Sequence, residues 1–167
     1  MVDTLLTDEQ KEQIVKIIRI QCNRFQTFEN QFESLFYDPY TQMRHKHTAT
    51  SAIISGFAPG RFQIDGISSV DLNYGLHDKL VQPELYCEKG TFHIYSDGSD
   101  LKGAKLLQRC KEMNDDLSNQ PVFFLIIASV SKIGQLKKVE LCLPNQQGTI
   151  IERSAIYQRQ KIVGITA

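Results

Sequence analysis

The chain has 167 residues, of which 41% are hydrophobic and 23% charged, which is enough apolar material for one folded domain and excludes wholesale disorder. Its 19 basic and 19 acidic side chains cancel, which excludes a histone-like polycation and a highly acidic DNA mimic but allows a local basic patch. The N-terminus carries acids where a signal peptide needs basic residues. The longest apolar run, residues 122–130, is shorter than the ~20 residues of a membrane helix. We therefore predict a cytoplasmic protein with no membrane partner and with its dispersed cysteines reduced.

A helical pattern opens the chain. Thr7 and Gln10 have the spacing of a capping box, apolar residues then recur at helical spacing, and Asp38-Pro39 ends the pattern. A single helix of ~30 residues would span ~45 Å, more than the width of a domain of this size. We therefore expect a bend or break near residues 22–26, and predict that residues 1–38 form one helix or a helix pair.

Strand patterns fill most of the remaining chain. The predicted strands are residues 52–57, 61–65, 67–73, 80–87, 91–96, 122–128, 136–143 and 149–152. The uninterrupted apolar run at 122–128 is typical of a central strand that is buried on both faces. A second amphipathic helix is predicted at 101–117. The sequence thus predicts a single α+β domain over residues 1–167, in which 52–157 form a mainly antiparallel central sheet with helix 101–117 packed on it.

A basic, histidine-bearing segment lies between the first helix and the sheet. Arg44, His45, Lys46 and His47 follow one another, and Arg61 lies in a later turn. The two histidines would point to one side of an extended chain, where they can bind a metal or act as acid or base near neutral pH. The cationic side chains suit phosphate contacts with a nucleic acid. A solvated loop explains the same residues without any ligand.

Acidic residues form a second candidate site. Asp71 lies on one predicted strand and Glu84 on the next, and a hairpin would bring the two carboxylates close together. Carboxylates hold hard cations such as Mg²⁺ or Mn²⁺, and a nearby Lys89 or His93 would assist the attacking water or the leaving group. The competing interpretation is that these residues are ordinary surface charges on half-exposed strands.

The same residues partly match a known motif. Asp71 is preceded by Val70, Glu84-Leu85-Tyr86 has tyrosine two residues after its glutamate, and Cys87-Glu88-Lys89 has glutamate and lysine adjacent. The order helix, three strands, helix, strand over residues 8–130 resembles the core of the PD-(D/E)XK nuclease-like superfamily. That resemblance implies a metal-dependent phosphodiesterase with an aspartate on the second core strand and Glu-x-Lys on the third.

Two functions from different classes are therefore predicted. The first is a small nucleic-acid-acting protein, a metal-dependent phosphodiesterase using Mg²⁺ or Mn²⁺, with Asp71 and Glu84 as metal ligands and Lys89 or His93 assisting. The second is a non-catalytic protein-binding factor of the inhibitor or immunity type, which would use the N-terminal helix or the loop 44–51. The phenylalanines of the first helix form either core or a homodimer interface through that helix.

Overall fold

The six strands of the described residues form one sheet in which neighbours in the chain are neighbours in space. The computed structural model describes residues 1–35, 52–72, 82–96, 122–131, 134–145 and 149–160. The elements are a 3-10 helix (Val2–Thr4), helix α1 (Asp8–Leu35), and strands β1 (Ser68–Leu72), β2 (Gln82–Cys87), β3 (Gly90–Ser96), β4 (Phe123–Val130), β5 (Leu136–Pro144) and β6 (Ile150–Gln158).

Strand direction confirms the predicted fold class. β3 and β4 pair in parallel, and the other neighbouring strands pair antiparallel. The chain is therefore α+β, with an N-terminal helix and a mainly antiparallel sheet. A parallel pair requires a crossover connection, and the predicted helix 101–117 falls in that connection, outside the described residues.

The start of α1 is fixed by the predicted capping box. The Gln10 backbone N–H donates to Thr7 Oγ1 at 3.1 Å, and the Thr7 N–H donates to Gln10 Oε1 at 3.0 Å. Two backbone donors that the first helical turn would leave without partners are thereby satisfied. The predicted bend or break near residues 22–26 is wrong in that α1 is one continuous helix of 28 residues. No proline or glycine occurs within it.

Removing the cap should weaken the helix measurably. Thr7→Ala deletes the side-chain oxygen that accepts from Gln10 N, and we expect it to lower the free energy of unfolding by about 1 kcal/mol. Equilibrium urea unfolding measures the change. Thr7→Ser keeps the oxygen and is the matched control, so an equal loss in both variants would contradict the capping role.

One face of the sheet packs against α1, and we call it the helix face. Phe92 and Phe124 lie opposite each other across the parallel β3–β4 pair, and their rings stack with centroids 4.8 Å apart. Helix residues Ile14 and Ile18 are fully buried in the same cluster. Close packing continues to the β4–β5 turn, where Gly134 has a positive φ of 82° and a Cβ there would lie 2.6 Å from Phe25. This cluster is the main core of the described chain.

Two predicted strands before β1 are wrong. Residues 52–55 are helical, and the 61–65 segment contributes only the isolated bridge between Ile64 and Ile67. Ile53 and Phe57 are four residues apart and both buried, so their spacing fits a helical turn as well as it fits a strand. A side-chain contact with α1 holds this turn, because Gln21 Nε2 donates to Ala52 O at 2.6 Å.

The described cysteines are free thiols. Cys22, Cys87 and Cys142 form no disulfide with one another. Burial raises the pKa of the Cys22 thiol to about 11, so this thiol stays protonated and unreactive at neutral pH.

Within the described ranges, no helix combines the length and the apolar character needed to cross a membrane.

Candidate functional site

The opposite face of the sheet, which we call the far face, carries buried polar residues on β2 and β3. The register pairs Leu85 with Phe92 and Tyr86 with Thr91. The register ends at Leu85 and Phe92, and Glu84 and His93 are the next residues of β2 and β3 beyond that last pair. Alternate residues of a strand share a face, so Glu84, Tyr86, Thr91 and His93 all lie on the far face. We call these four residues the Glu84 cluster.

The Glu84 cluster is withdrawn from solvent. Glu84, Thr91 and His93 retain only 4%, 2% and 1% of their exposure. Aromatic rings flank the imidazole: Phe123 lies edge-on to it at 5.4 Å between centroids, and Tyr95 is stacked at 6.3 Å. A titratable pair is thus set in largely apolar surroundings.

Two oxygens of the cluster lack partners. Within the described part of the chain, neither Glu84 Oε1 nor Thr91 Oγ1 has a hydrogen-bond partner. An unsatisfied buried polar atom costs about 1–3 kcal/mol, and its presence in a folded protein points to a water, an ion or a functional role. These two oxygens are the strongest local sign that the cluster does more than fill space.

Electrostatics distinguish Glu84 from a surface carboxylate. Burial raises the pKa of Glu84, and a hydrogen bond with the Tyr86 side chain opposes that rise. The pKa of Tyr86 is raised in turn by burial, by the Glu84 charge and by the same hydrogen bond. Glu84 therefore keeps its proton to higher pH than an exposed glutamate, as a general acid must.

Asp71 and Glu84 are not the cross-strand pair that the sequence suggested. The β1–β2 register pairs Asp71 with Pro83, and it pairs Val70 with Glu84. Asp71 is thus one residue out of step with Glu84, and its register position belongs to the helix face. The predicted joint binding of one metal ion by these two residues does not follow from this register.

Two further predicted site residues, Lys89 and Arg61, lie apart from the cluster. Lys89 is in the β2–β3 turn, where its Nζ donates to Thr4 O at 2.8 Å. Arg61 is exposed between Phe57 and Phe62, whose rings belong to the helix-face cluster. The predicted phosphate-binding residues Arg44, His45, Lys46 and His47 lie outside the described residues.

The described residues offer few ligands for the metal ion that the resemblance implies. Among the described residues, no three His, Cys, Asp or Glu side chains converge on one point. Glu84 and His93 are two potential ligands on the same face of the β2–β3 hairpin. Mg²⁺ commonly uses only one or two carboxylates and keeps several waters, so a cation at Glu84 would depend on water and substrate for most of its coordination.

Residues missed from sequence also shape the far face. Tyr86 was considered only as a departure from a lysine position, yet it is the hydrogen-bond partner of Glu84. Glu140 on β5 is only 9% exposed and forms ion pairs with Lys138 at 3.4 Å and Arg153 at 3.6 Å. Counting outward from the Glu88-Lys89 turn would have predicted the Tyr86–Thr91 pair.

Comparisons with family models, with curated proteins and with solved structures found no match to this chain. Its class is therefore defined by the fold alone, a mixed six-stranded sheet with a long N-terminal helix on one face. Function has to be inferred from the Glu84 cluster and from the surface of the molecule.

Proposed function

We propose that this protein acts on nucleic acid as a phosphodiesterase, with the Glu84 cluster as its reactive centre and the cytoplasm as its location. The observation that supports this proposal most is the burial of two titratable side chains, Glu84 on β2 and His93 on β3, on the same face of one hairpin. The PD-(D/E)XK resemblance implies an aspartate on the second core strand and Glu-x-Lys on the third, and the sequence offers Asp71 and Glu84 for these two positions. Asp71 lies on β1 and Glu84 on β2.

The chemistry available to the pair is acid–base catalysis. His93 would accept a proton from the attacking water as the new bond to phosphorus forms, and protonated Glu84 would donate to the ester oxygen that leaves. If Mg²⁺ or Mn²⁺ binds, Glu84 is the carboxylate that would hold it, and the metal supplies charge neutralisation at the phosphate. Arg44 and Lys46 remain the proposed phosphate contacts, whereas Arg61 lies apart from the Glu84 cluster.

Burial favours a second candidate function. Because Glu84 and His93 are only 4% and 1% exposed, a polymeric substrate does not reach them in the conformation described here. The alternative is a non-catalytic protein-binding factor, an inhibitor or immunity-type protein, that uses the exposed side of α1. In that case the Glu84 cluster is a structural feature of the sheet.

A cleavage assay separates the two functions. The protein is incubated with single- and double-stranded DNA and RNA in Mg²⁺, in Mn²⁺ and in EDTA. We expect cleavage that Glu84→Gln and His93→Gln each reduce by at least about 10²-fold, the usual contribution of a positioned acid or base. Glu88→Gln, in the exposed turn of the same hairpin, is the matched control and should cleave like wild type.

The reactions with and without metal ions, together with one further variant, show which role Glu84 has in cleavage. Cleavage that survives EDTA assigns Glu84 an acid–base role, whereas cleavage abolished by EDTA assigns it a ligand role. Asp71→Asn should cleave like wild type because its register position is on the other face. No cleavage under any condition would overturn the enzymatic proposal and favour the protein-binding alternative.

A further inference from the structure

Within the described residues, β6 is the last strand of the sheet, and no strand pairs with its outer edge. It has nine residues, and among the described residues it pairs with β5 alone. Ile151, on this strand, is 61% exposed. Long free edges invite pairing with another chain, and soluble proteins usually cover or block them. The edge of β6 is therefore a surface that a partner strand can complete.

The direction of the β6 hydrogen bonds can be followed from both ends of the β5–β6 pair. Arg159 N–H donates to Lys137 O at 2.8 Å, and Asn145 N–H donates to Thr149 O at 2.8 Å. Bonded and non-bonded positions alternate along an antiparallel strand, so the odd-numbered residues of β5 bond towards β6. Glu140 is out of phase with them, and the β5–β6 register shifts by one residue between Val139 and Glu140. Because the shift adds its extra residue to β6 and not to β5, we infer that Ala155, the partner of Glu140, directs its own N–H and C=O away from β5.

A groove runs beside this edge, between β6 and α1. Its volume is about 860 Å³, and its walls include Val15 and Ile20 from the helix and Ile156 and Tyr157 from the strand. Ile20 is 41% exposed there. The groove thus combines apolar side chains with a strand edge, the two features that strand addition uses.

Charge is distributed unequally along the groove. Asp3, Asp8 and Glu12 line one end, and Lys16 and Arg19 line the part that follows along α1. Arg19 lies over the Tyr157 ring at 5.5 Å. Within the described chain, no carboxylate forms an ion pair with Lys16 or Arg19. Lys11 also lines the acidic end and is paired with Asp8 at 3.7 Å. The uncompensated charge of the groove is therefore acidic at Asp3 and Glu12 and basic at Lys16 and Arg19.

We propose that a second copy of this chain occupies the groove, with β6 of the two copies paired antiparallel about a two-fold axis. Such an axis reverses the direction of the groove, so the acidic end of each copy faces the basic end of the other. The outward N–H and C=O groups at Ala155 then gain partners. The two sheets become one continuous sheet. The charges of the groove in one copy are then complementary to those of the same groove in the other copy.

The strand edge is tested with a matched pair of variants. Sedimentation velocity over a wide concentration range should show a concentration-dependent dimer for wild type. Ala155→Pro removes an outward N–H and leaves the β5 bonds intact, so it should sediment as a folded monomer, with folding checked by circular dichroism. Ala155→Ser keeps the N–H and should dimerise like wild type.

Charge reversal tests the same interface without altering the backbone. The double variant Lys16→Glu/Arg19→Glu makes both ends acidic, and Asp3→Lys/Glu12→Lys makes both ends basic, so each alone should be monomeric. Mixed in equal amounts, the two should form a heterodimer, because each then offers the charge that the other lacks. A dimer that forms only in the mixture is expected only if the acidic end of one groove faces the basic end of the other.

Three results would overturn the proposal. They are a wild-type monomer at every concentration, a dimer that persists in Ala155→Pro, and a charge-reversed pair that fails to associate on mixing. A wild-type monomer would leave the groove to an extended segment of a different protein.

Discussion

Replacing Phe124 with alanine is expected to lower the free energy of unfolding by about 3–5 kcal/mol. Phe124 is fully buried and stacks on Phe92 across the parallel β3–β4 pair. That pair connects the hairpin strands before it to β5 and β6 after it. The truncation therefore leaves a cavity at the junction of the sheet. Equilibrium urea unfolding measures the loss against a total stability of about 5–15 kcal/mol for an ordinary domain.

Two controls make this result specific. Phe124→Leu removes fewer atoms than Phe124→Ala and should lose less stability. Ile151→Ala truncates a strand residue that is 61% exposed, and it should change the free energy of unfolding by no more than about 0.5 kcal/mol. A loss in Phe124→Ala as small as that in Ile151→Ala would contradict the assigned core.

Replacing Glu84 with glutamine should change how stability depends on pH. Burial raises the pKa of Glu84 in the folded protein, so the folded state binds the proton more tightly than the unfolded state. The contribution of this group is fully present below its unfolded pKa and is lost as the pH rises through the folded value. The loss approaches about 1.4 kcal/mol for each pH unit in that window.

Glu84→Gln cannot ionise, so it should become more stable relative to wild type as the pH rises from acid to neutral. Urea unfolding at a series of pH values measures the difference between the two curves. Glu88→Gln removes an exposed carboxylate from the same hairpin, and its curve should run parallel to that of wild type. If the curves of wild type and Glu84→Gln ran parallel, the pKa of the Glu84 carboxyl would not be raised in the folded protein.

The parts of the fold that were predicted correctly depend on local chemistry. The Thr7–Gln10 capping box forms with both expected hydrogen bonds. The apolar run at 122–128 becomes β4, which is buried on both faces. In each case the deciding interactions lie within a few residues, where spacing and residue type are enough.

The register between β1 and β2 could not be predicted in the same way. The turn between β2 and β3 is only Glu88-Lys89, and it fixes which residues lie opposite each other. Residues 73–81 separate β1 from β2, and a connection of that length leaves the register open. A shift of one residue moves every side chain to the other face, and such a shift is why Asp71 and Glu84 are not the predicted pair.

The burial of the candidate site could not be predicted without knowing the tertiary structure. Strand alternation places Thr91, His93 and Tyr95 on one face, but it does not say whether that face is solvated. In the structure all three are buried, and the expected half-exposed strand is a central one. The free edge of β6 depends on strand order for the same reason, since only the assembled sheet shows which strand is last.

The most direct test of the Glu84 cluster is to follow the Glu84 carboxyl carbon by NMR during a pH titration. Glu84→Gln assigns the signal, and Tyr86→Phe removes the hydrogen bond that opposes the rise in the Glu84 pKa. We expect the wild-type Glu84 pKa to lie above that of an ordinary glutamate and to rise further in Tyr86→Phe. A Glu84 pKa at or below the ordinary value, unchanged in Tyr86→Phe, would contradict a buried, proton-holding carboxyl at the centre of this site.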